Sequence, residues 1–126
     1  MFPKYFIIGA ISAALAIAFG AFGAHGLEDR ISEHLLDVFE TGVRYQMYSA
    51  LGLMLVSLMV KVVGGNRNAE RGAAFIFAGM IIFSVSLYVL ALTDISILGA
   101  ITPIGGVAML IGWVYVIAGA WKLGKQ

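Results

Sequence analysis

The polar residues that interrupt the apolar parts of this sequence are the first candidates for chemistry. The set consists of His25, Tyr45, Gln46, Ser84, Ser86, Tyr88 and Pro103. An imidazole titrates near neutral pH, and hydroxyl and amide groups in an apolar environment form hydrogen bonds between helices. A proline within a helix frees backbone groups that can line a cavity. Two interpretations follow: a polar cluster that contacts a ligand, or a set of bonds that hold helices together.

The sequence lacks the residue sets that most catalytic and metal sites require. It has no cysteine and two histidines, which excludes disulfides, thiol catalysis and a closed zinc site built from these residues alone. No Ser/His/Asp set, carboxylate pair or phosphate-binding loop is present. The net charge of +1 provides no basic footprint for nucleic acid. We therefore predict no catalytic residue, no metal, no cofactor and no nucleic-acid partner, and we expect that the protein is not an enzyme.

Four stretches without Asp, Glu, Lys or Arg must position these polar residues, namely 5–27, 45–60, 72–93 and 95–121. A helix that crosses the hydrocarbon core needs roughly 17–25 such residues, and the second stretch reaches this length if Lys61 extends its ammonium to the surface. Hydrophobic residues make up 61% of the 126 residues and charged residues 12%. Soluble domains typically contain about 45–50% hydrophobic and about 25% charged residues.

We therefore predict an all-α membrane protein, a bundle of four transmembrane helices that forms a single domain over residues 1–126. The predicted spans cover about 5–24, 44–63, 72–93 and 97–121. The fourth helix begins either at Pro103 or near Ile97, with a bend at the proline.

An amphipathic helix is predicted between the first two spans, over residues 31–43. Its apolar residues recur at helical spacing, and Asp29 or Ser32 is suited to cap its start. Such a helix lies at the membrane interface, continues into the second span, or packs on the bundle outside the membrane.

Small residues recur along the first and fourth spans at intervals that favour close helix packing. The residues are Ser12, Ala16 and Gly20 in the first span and Gly106, Gly112 and Gly119 in the fourth. Such stripes let two helix backbones approach closely in lipid. The contact is made either within one chain or between copies, and the second alternative predicts a homo-oligomer, a dimer or a trimer.

The charges are distributed unevenly between the connections. Positive residues lie near the N-terminus, in the connection 61–71 and at the C-terminal tail, whereas residues 25–44 and Asp94 carry negative charge. Because positive connections remain in the cytoplasm, both termini are predicted to be cytoplasmic. Charges such as Glu40 and Arg44 lie at the edges of the predicted spans, which disfavours a proton-driven pump.

Several segments together resemble a known protein family. They read GAFGAHG at 20–26, TGVRYQMY at 41–48, FSVSLY at 83–88, TPIGG at 102–106 and GW at 112–113. This pattern resembles the YgdD/YwdK-type family of small bacterial inner-membrane proteins, known as domain of unknown function 423. The resemblance implies a four-span protein of the bacterial inner (plasma) membrane without an established activity. The family often has histidine where this chain has Ser49, which weakens the idea of a family-wide catalytic or metal-binding group there.

Two functional hypotheses follow from these patterns. The first is a self-associating, non-enzymatic helical bundle of the membrane. The alternative is a permeation, small-molecule or lipid-binding protein that uses polar residues at the span ends. A polar cavity that water can enter would favour the second hypothesis, and a dry, filled core would argue against it.

Overall fold

The computed structural model describes residues 2–124, which form four α-helices joined by short connections. The helices are α1 (Lys4–Gly26), α2 (Glu33–Val63), α3 (Arg67–Thr93) and α4 (Leu98–Gly124). Each is long and apolar enough to cross a membrane. The predicted all-α, four-span architecture is therefore confirmed, and the ends of the predicted domain, residues 1 and 125–126, lie outside the described part.

Helix α2 joins the predicted amphipathic segment and the second span into one unbroken helix. Ser32 caps its start, since the Ser32 side chain accepts a hydrogen bond from the Leu35 N–H at 3.1 Å. Gly64 ends it with a φ of 95°, a conformation that glycine adopts without strain. The amphipathic segment therefore continues directly into the second span, which is one of the three arrangements expected from the sequence.

Helix α4 begins at Leu98 and contains Pro103 in its second turn. Pro103 lies beyond the first four residues, so it removes one backbone hydrogen bond of the helix, and the helix continues through it to Gly124. The earlier of the two predicted starting points is therefore the observed one.

Consecutive helices pack against one another, with the most extensive contact between α3 and α4. One apolar core includes Leu53 and Val56 of α2 with Ala73 and Ile76 of α3. Large apolar side chains such as Ile17, Leu55 and Ile104 point outwards and are more than half exposed. An apolar outer surface on helices of this length is the surface expected to contact lipid.

Candidate functional site

A chain of hydrogen bonds links three helices through Gln46, whose side chain is 7% exposed. The Tyr88 hydroxyl donates to Gln46 Oε1 at 2.6 Å, and Gln46 Nε2 donates to the backbone carbonyl of Ser12 at 2.8 Å. This chain joins α3 to α2 and α2 to α1. The amide is therefore bonded through both its oxygen and its nitrogen, as a buried amide in an apolar environment requires.

Ser84 belongs to the same cluster and bonds to another helix, whereas a serine in a span commonly bonds to its own. Its hydroxyl donates to the Gly42 carbonyl of α2 at 2.8 Å. Gly42 lies against the Tyr88 ring, and a Cβ at Gly42 would lie 2.7 Å from Tyr88 Cε1. The glycine is therefore required for α2 and α3 to approach closely enough for this bond.

Ser86 forms a separate contact between α3 and α4. Its hydroxyl lies 2.6 Å from Thr102 Oγ1 and also donates to the Phe83 carbonyl of its own helix. Ser49, likewise buried, donates to Met109 Sδ at 3.2 Å. Thr102 and Met109 were not among the predicted polar residues, because nothing in their local sequence shows which residue faces them.

The predicted polar set does not form one site. Gln46, Ser84 and Tyr88 come together, and Ser86 pairs elsewhere. His25 and Pro103 are exposed on the outer surface. Tyr45 is 42% exposed and packs on Tyr48 and Phe83 instead of the Gln46 cluster.

The predicted packing residues lie mainly between helices of this chain. Ser12 and Ala16 are buried, and Gly20 lies beside Val43 of α2. Gly112 and Gly119 face α3, where a Cβ would come within 2.7 Å of Ile76 and 3.0 Å of Ala69, respectively.

Gly106 differs from its neighbour Gly105, which was absent from the predicted packing set. A Cβ at Gly106 would lie 3.7 Å from the Phe83 ring, an ordinary contact. A Cβ at Gly105 would overlap the Phe83 backbone nitrogen and lie 2.8 Å from the Gly79 carbonyl oxygen. Gly105 is therefore the residue of this pair that lets α3 and α4 touch.

A groove of about 430 Å³ opens between α2, α3 and α4. Aromatic side chains dominate its walls, and the lining includes Tyr45, Tyr48, Phe83, Met109 and Trp113. A second cavity of about 230 Å³ borders Gln46, Ser84 and Tyr88, but these three side chains already bond to protein. Both spaces are lined mainly by apolar side chains, which favour apolar occupants over water.

Arg44 of α2 lies beside the middle of α1. Gln46, two residues later, bonds to Ser12, and Val43, one residue earlier, lies beside Gly20. Ser12 and Gly20 lie on either side of the centre of the charge-free stretch 5–27. A helix of this length matches a hydrocarbon core about 30 Å thick. Arg44 therefore lies beside the central part of α1 in the packed bundle.

The contacts with α3 place Arg44 beside the middle of that helix as well. Gly42, two residues before Arg44, accepts the bond from Ser84, and Ser84 lies near the centre of the charge-free stretch 72–93. The sequence stretches, taken one helix at a time, had placed Arg44 at the edge of a span.

The Arg44 side chain is exposed on the outer face of α2. Its Nη2 donates to Thr41 Oγ1 at 3.1 Å, and within residues 2–124 it forms no ion pair. Glu40 lies one helical turn earlier and is half-buried. An arginine at the centre of a lipid-facing helix costs about 2.5–3.5 kcal/mol on insertion scales. Charges at such depth usually face protein or a water-filled space.

Comparison with known proteins shows which family the chain matches. The family model described as "Protein of unknown function (DUF423)" matches residues 19–106, more than half of the chain. The chain belongs to the DUF423 family. It is 49% identical over 118 residues to the UPF0382 membrane protein YwdK of Bacillus subtilis, covering 94% of this chain and 96% of YwdK.

Further DUF423 relatives also match this chain over nearly their whole length. A UPF0382 membrane protein of Staphylococcus aureus is 47% identical over 120 residues, covering 94% of this chain and 95% of the relative. A UPF0382 membrane protein of Staphylococcus saprophyticus is 44% identical over 119 residues, covering 94% of this chain and 98% of the relative. No solved structure matches the chain. The resemblance seen in the sequence is confirmed, and the chain is a membrane protein of a family without an assigned molecular function.

The segment matched by the DUF423 model contains α2 and α3 completely. It therefore includes Arg44 and the bonded cluster of Gln46, Ser84 and Tyr88. Ser12, whose carbonyl completes that cluster, and Gly112 of the α3–α4 contact lie outside it.

Proposed function

We propose that the protein is a non-enzymatic component of the bacterial plasma membrane that works as an assembly of two or three copies. The observation that carries this proposal is the exposed charge of Arg44 on the outer face of α2, a helix long and apolar enough to cross the membrane. A single copy leaves this charge without an ion pair within residues 2–124, and the surface of a second copy supplies one.

The bonding of the interior polar groups supports a non-enzymatic role. Gln46, Ser84 and Tyr88 bond to one another's helices, and Ser86 bonds to Thr102. Groups in such bonds are not free to exchange protons with a substrate or to conduct ions. Within residues 2–124, no three His, Asp or Glu side chains lie close enough to hold a metal ion. A molecule with this interior acts through its outer surface.

The charges at the helix ends support one orientation. Lys4, Lys61, Arg67 and Lys122 lie at the end of the molecule where α1 and α3 begin and α2 and α4 end. Contacts across this end join Phe2 to Lys61 and Asn66 to Gly119. Positive charge remains on the cytoplasmic side, so we place both termini in the cytoplasm.

The test of self-association is the number of copies in a bilayer. The protein, labelled with one fluorophore at its C-terminus, is reconstituted into liposomes at low density, and photobleaching steps are counted for each spot. We expect mostly two or three steps. A distribution that stays at one step as the protein-to-lipid ratio rises would overturn the proposal.

A second candidate function is the binding of an apolar, membrane-dissolved molecule in the groove of about 430 Å³. The specific observation is that the hydroxyls of Tyr45 and Tyr48, which line this groove, have no hydrogen-bond partner in the described chain. An occupant that carries a hydrogen-bond acceptor would satisfy them. Mass spectrometry of the purified protein would reveal such a molecule, and its loss in the Tyr48→Phe variant would place it at the groove.

A further inference from the structure

We infer that the outer face of α2 is an interface between two copies of this chain, in which Arg44 of each copy pairs with Glu40 of the other. This inference depends on the proposed self-association and adds the surface and the ion pair that produce it.

The exposed residues of α2 form a continuous seam. Asp37, Arg44, Leu51 and Leu58 recur every seven residues, and all four are exposed. Leu55 lies between the last two and is 66% exposed. A seven-residue repeat keeps one helix face in contact with a partner helix at the shallow left-handed crossing common in membrane bundles. We name Arg44, Leu51, Leu55 and Leu58 the α2 seam.

The direction of the Arg44 side chain suits pairing with Glu40. Side chains on a helix lean towards its N-terminus, and the Arg44 guanidinium bonds to Thr41, which lies on that side. In two copies related by an axis along the membrane normal, the α2 helices are parallel. The partner's Glu40 then lies one turn, about 6 Å, towards the N-terminus from Arg44.

The twofold symmetry of such a dimer forms this contact twice. Because both copies present the same surface, Arg44 reaches the partner's Glu40, and the partner's Arg44 reaches Glu40. Two opposite charges are paired in each contact, so each arginine gains a carboxylate partner. Glu40 is half-buried in one copy and becomes further covered by the second.

The outer face of α4 has no exposed charge comparable to Arg44 within the stretch 95–121. Its exposed residues at comparable depth include Ile104 at 62% and Leu110 at 68%, and its stretch 95–121 carries no charge. Lipid chains cover such a face without cost. This contrast is the reason for assigning the contact to α2 and supplies a matched control surface.

Cysteine crosslinking locates the interface, since the chain has no cysteine of its own. Leu51→Cys, Leu55→Cys and Leu58→Cys each place one thiol on the α2 seam. Ile104→Cys and Ile117→Cys each place one thiol on α4, at side chains that are more exposed than Leu51 and Leu58. After brief oxidation of the variants in liposomes, we expect several-fold more disulfide-linked dimer from the seam variants than from the α4 variants.

Charge reversal tests the ion pair. Arg44→Glu and Glu40→Arg each place like charges across the seam, and we expect either to lower the association constant about tenfold or more. The double variant Glu40→Arg/Arg44→Glu restores opposite charges, and we expect it to recover most of the dimer. The matched control is Asp94→Arg, which reverses a charge in the connection after α3 and should leave association unchanged.

Each result supports or overturns the inference. Association with crosslinks confined to α4 would overturn it and leave the proposed self-association intact. Crosslinks at the seam without recovery in the double variant would overturn the ion pair. A protein that remains single in the photobleaching experiment would overturn both the interface and the proposed function. The cysteine variants keep the charges native, so they give an answer even if a reversal prevents insertion.

Discussion

Two buried serines of this protein differ in whether their hydroxyls have a partner. Ser84 bonds to the Gly42 carbonyl, whereas the Ser57 hydroxyl is fully buried without a hydrogen-bond partner in the described chain. We expect Ser84→Ala to lower the free energy of unfolding by about 0.6–1.7 kcal/mol, between the mean and the maximum measured for bonds between membrane helices. Ser57→Ala should be neutral or stabilising, because it removes an unsatisfied group.

Reversible unfolding of both serine variants in mixed micelles measures this difference. Each substitution removes one oxygen from a buried site of similar exposure, so each variant is the control for the other. Equal losses of stability in both variants would contradict the bonding pattern.

The hydroxyl of Tyr88 provides a second prediction for a single residue. It donates to Gln46, which in turn bonds to the Ser12 carbonyl. Tyr88→Phe keeps the ring contacts with Phe19 and Phe39 and removes only this donor. We expect a loss of unfolding free energy of about 0.6–1.7 kcal/mol. The loss should disappear in a Gln46→Leu background, and a full loss there would show that the two side chains are not coupled.

The residue types of the bonded cluster were visible in the sequence, but their partners were not. Gln46, Ser84 and Tyr88 stand out because polar groups are rare in these helices. Their grouping depends on how α2 and α3 are rotated about their axes, which the local sequence does not determine. Tyr45, adjacent to Gln46, points to another side of α2, because successive residues of a helix are about 100° apart.

Some features of the helices depend only on nearby residues, whereas others depend on contacts between helices. The cap at Ser32 and the end of α2 at Gly64 depend on nearby residues and could be predicted from them. The depth of Arg44 depends on the register between α2 and its neighbours, set by contacts such as Gln46 to Ser12. Counting uncharged residues treats each helix alone, so it does not show which part of α1 lies beside Arg44.

The contact between α3 and α4 provides a prediction for a pair of adjacent glycines. Gly105→Ala forces a methyl group against the Phe83 backbone, and we expect it to lower the free energy of unfolding by about 1–3 kcal/mol. Gly106→Ala meets only an ordinary contact and should be neutral or stabilising by up to about 1 kcal/mol, since alanine favours the helix. Thermal unfolding of the two variants in the same detergent measures the contrast. Similar values for both would show that α3 and α4 do not approach as closely as described.

On the scale of the whole molecule, the arrangement combines an internally bonded interior with a charge on its outer face. The bonds of Gln46 and Ser84 hold α1, α2 and α3 together and use the polar groups of that region. Arg44, on the opposite face of α2, is exposed and forms no ion pair within residues 2–124. This division connects the fold to the proposed assembly, because the bonded cluster is complete within one chain and the charge of Arg44 is not paired within it.

The orientation of the molecule gives the last prediction. Ser96→Cys places a thiol in the connection between α3 and α4, and Gly124→Cys places one at the end of α4, where the space for a side chain is open. With both termini in the cytoplasm, a thiol reagent that does not cross membranes should label Ser96→Cys in intact cells. It should label Gly124→Cys only after the cells are opened. Because the chain has no cysteine of its own, the unsubstituted protein is the blank. Labelling of Gly124→Cys in intact cells, with Ser96→Cys protected, would reverse the orientation and show that the lysines and arginines at that end do not set it.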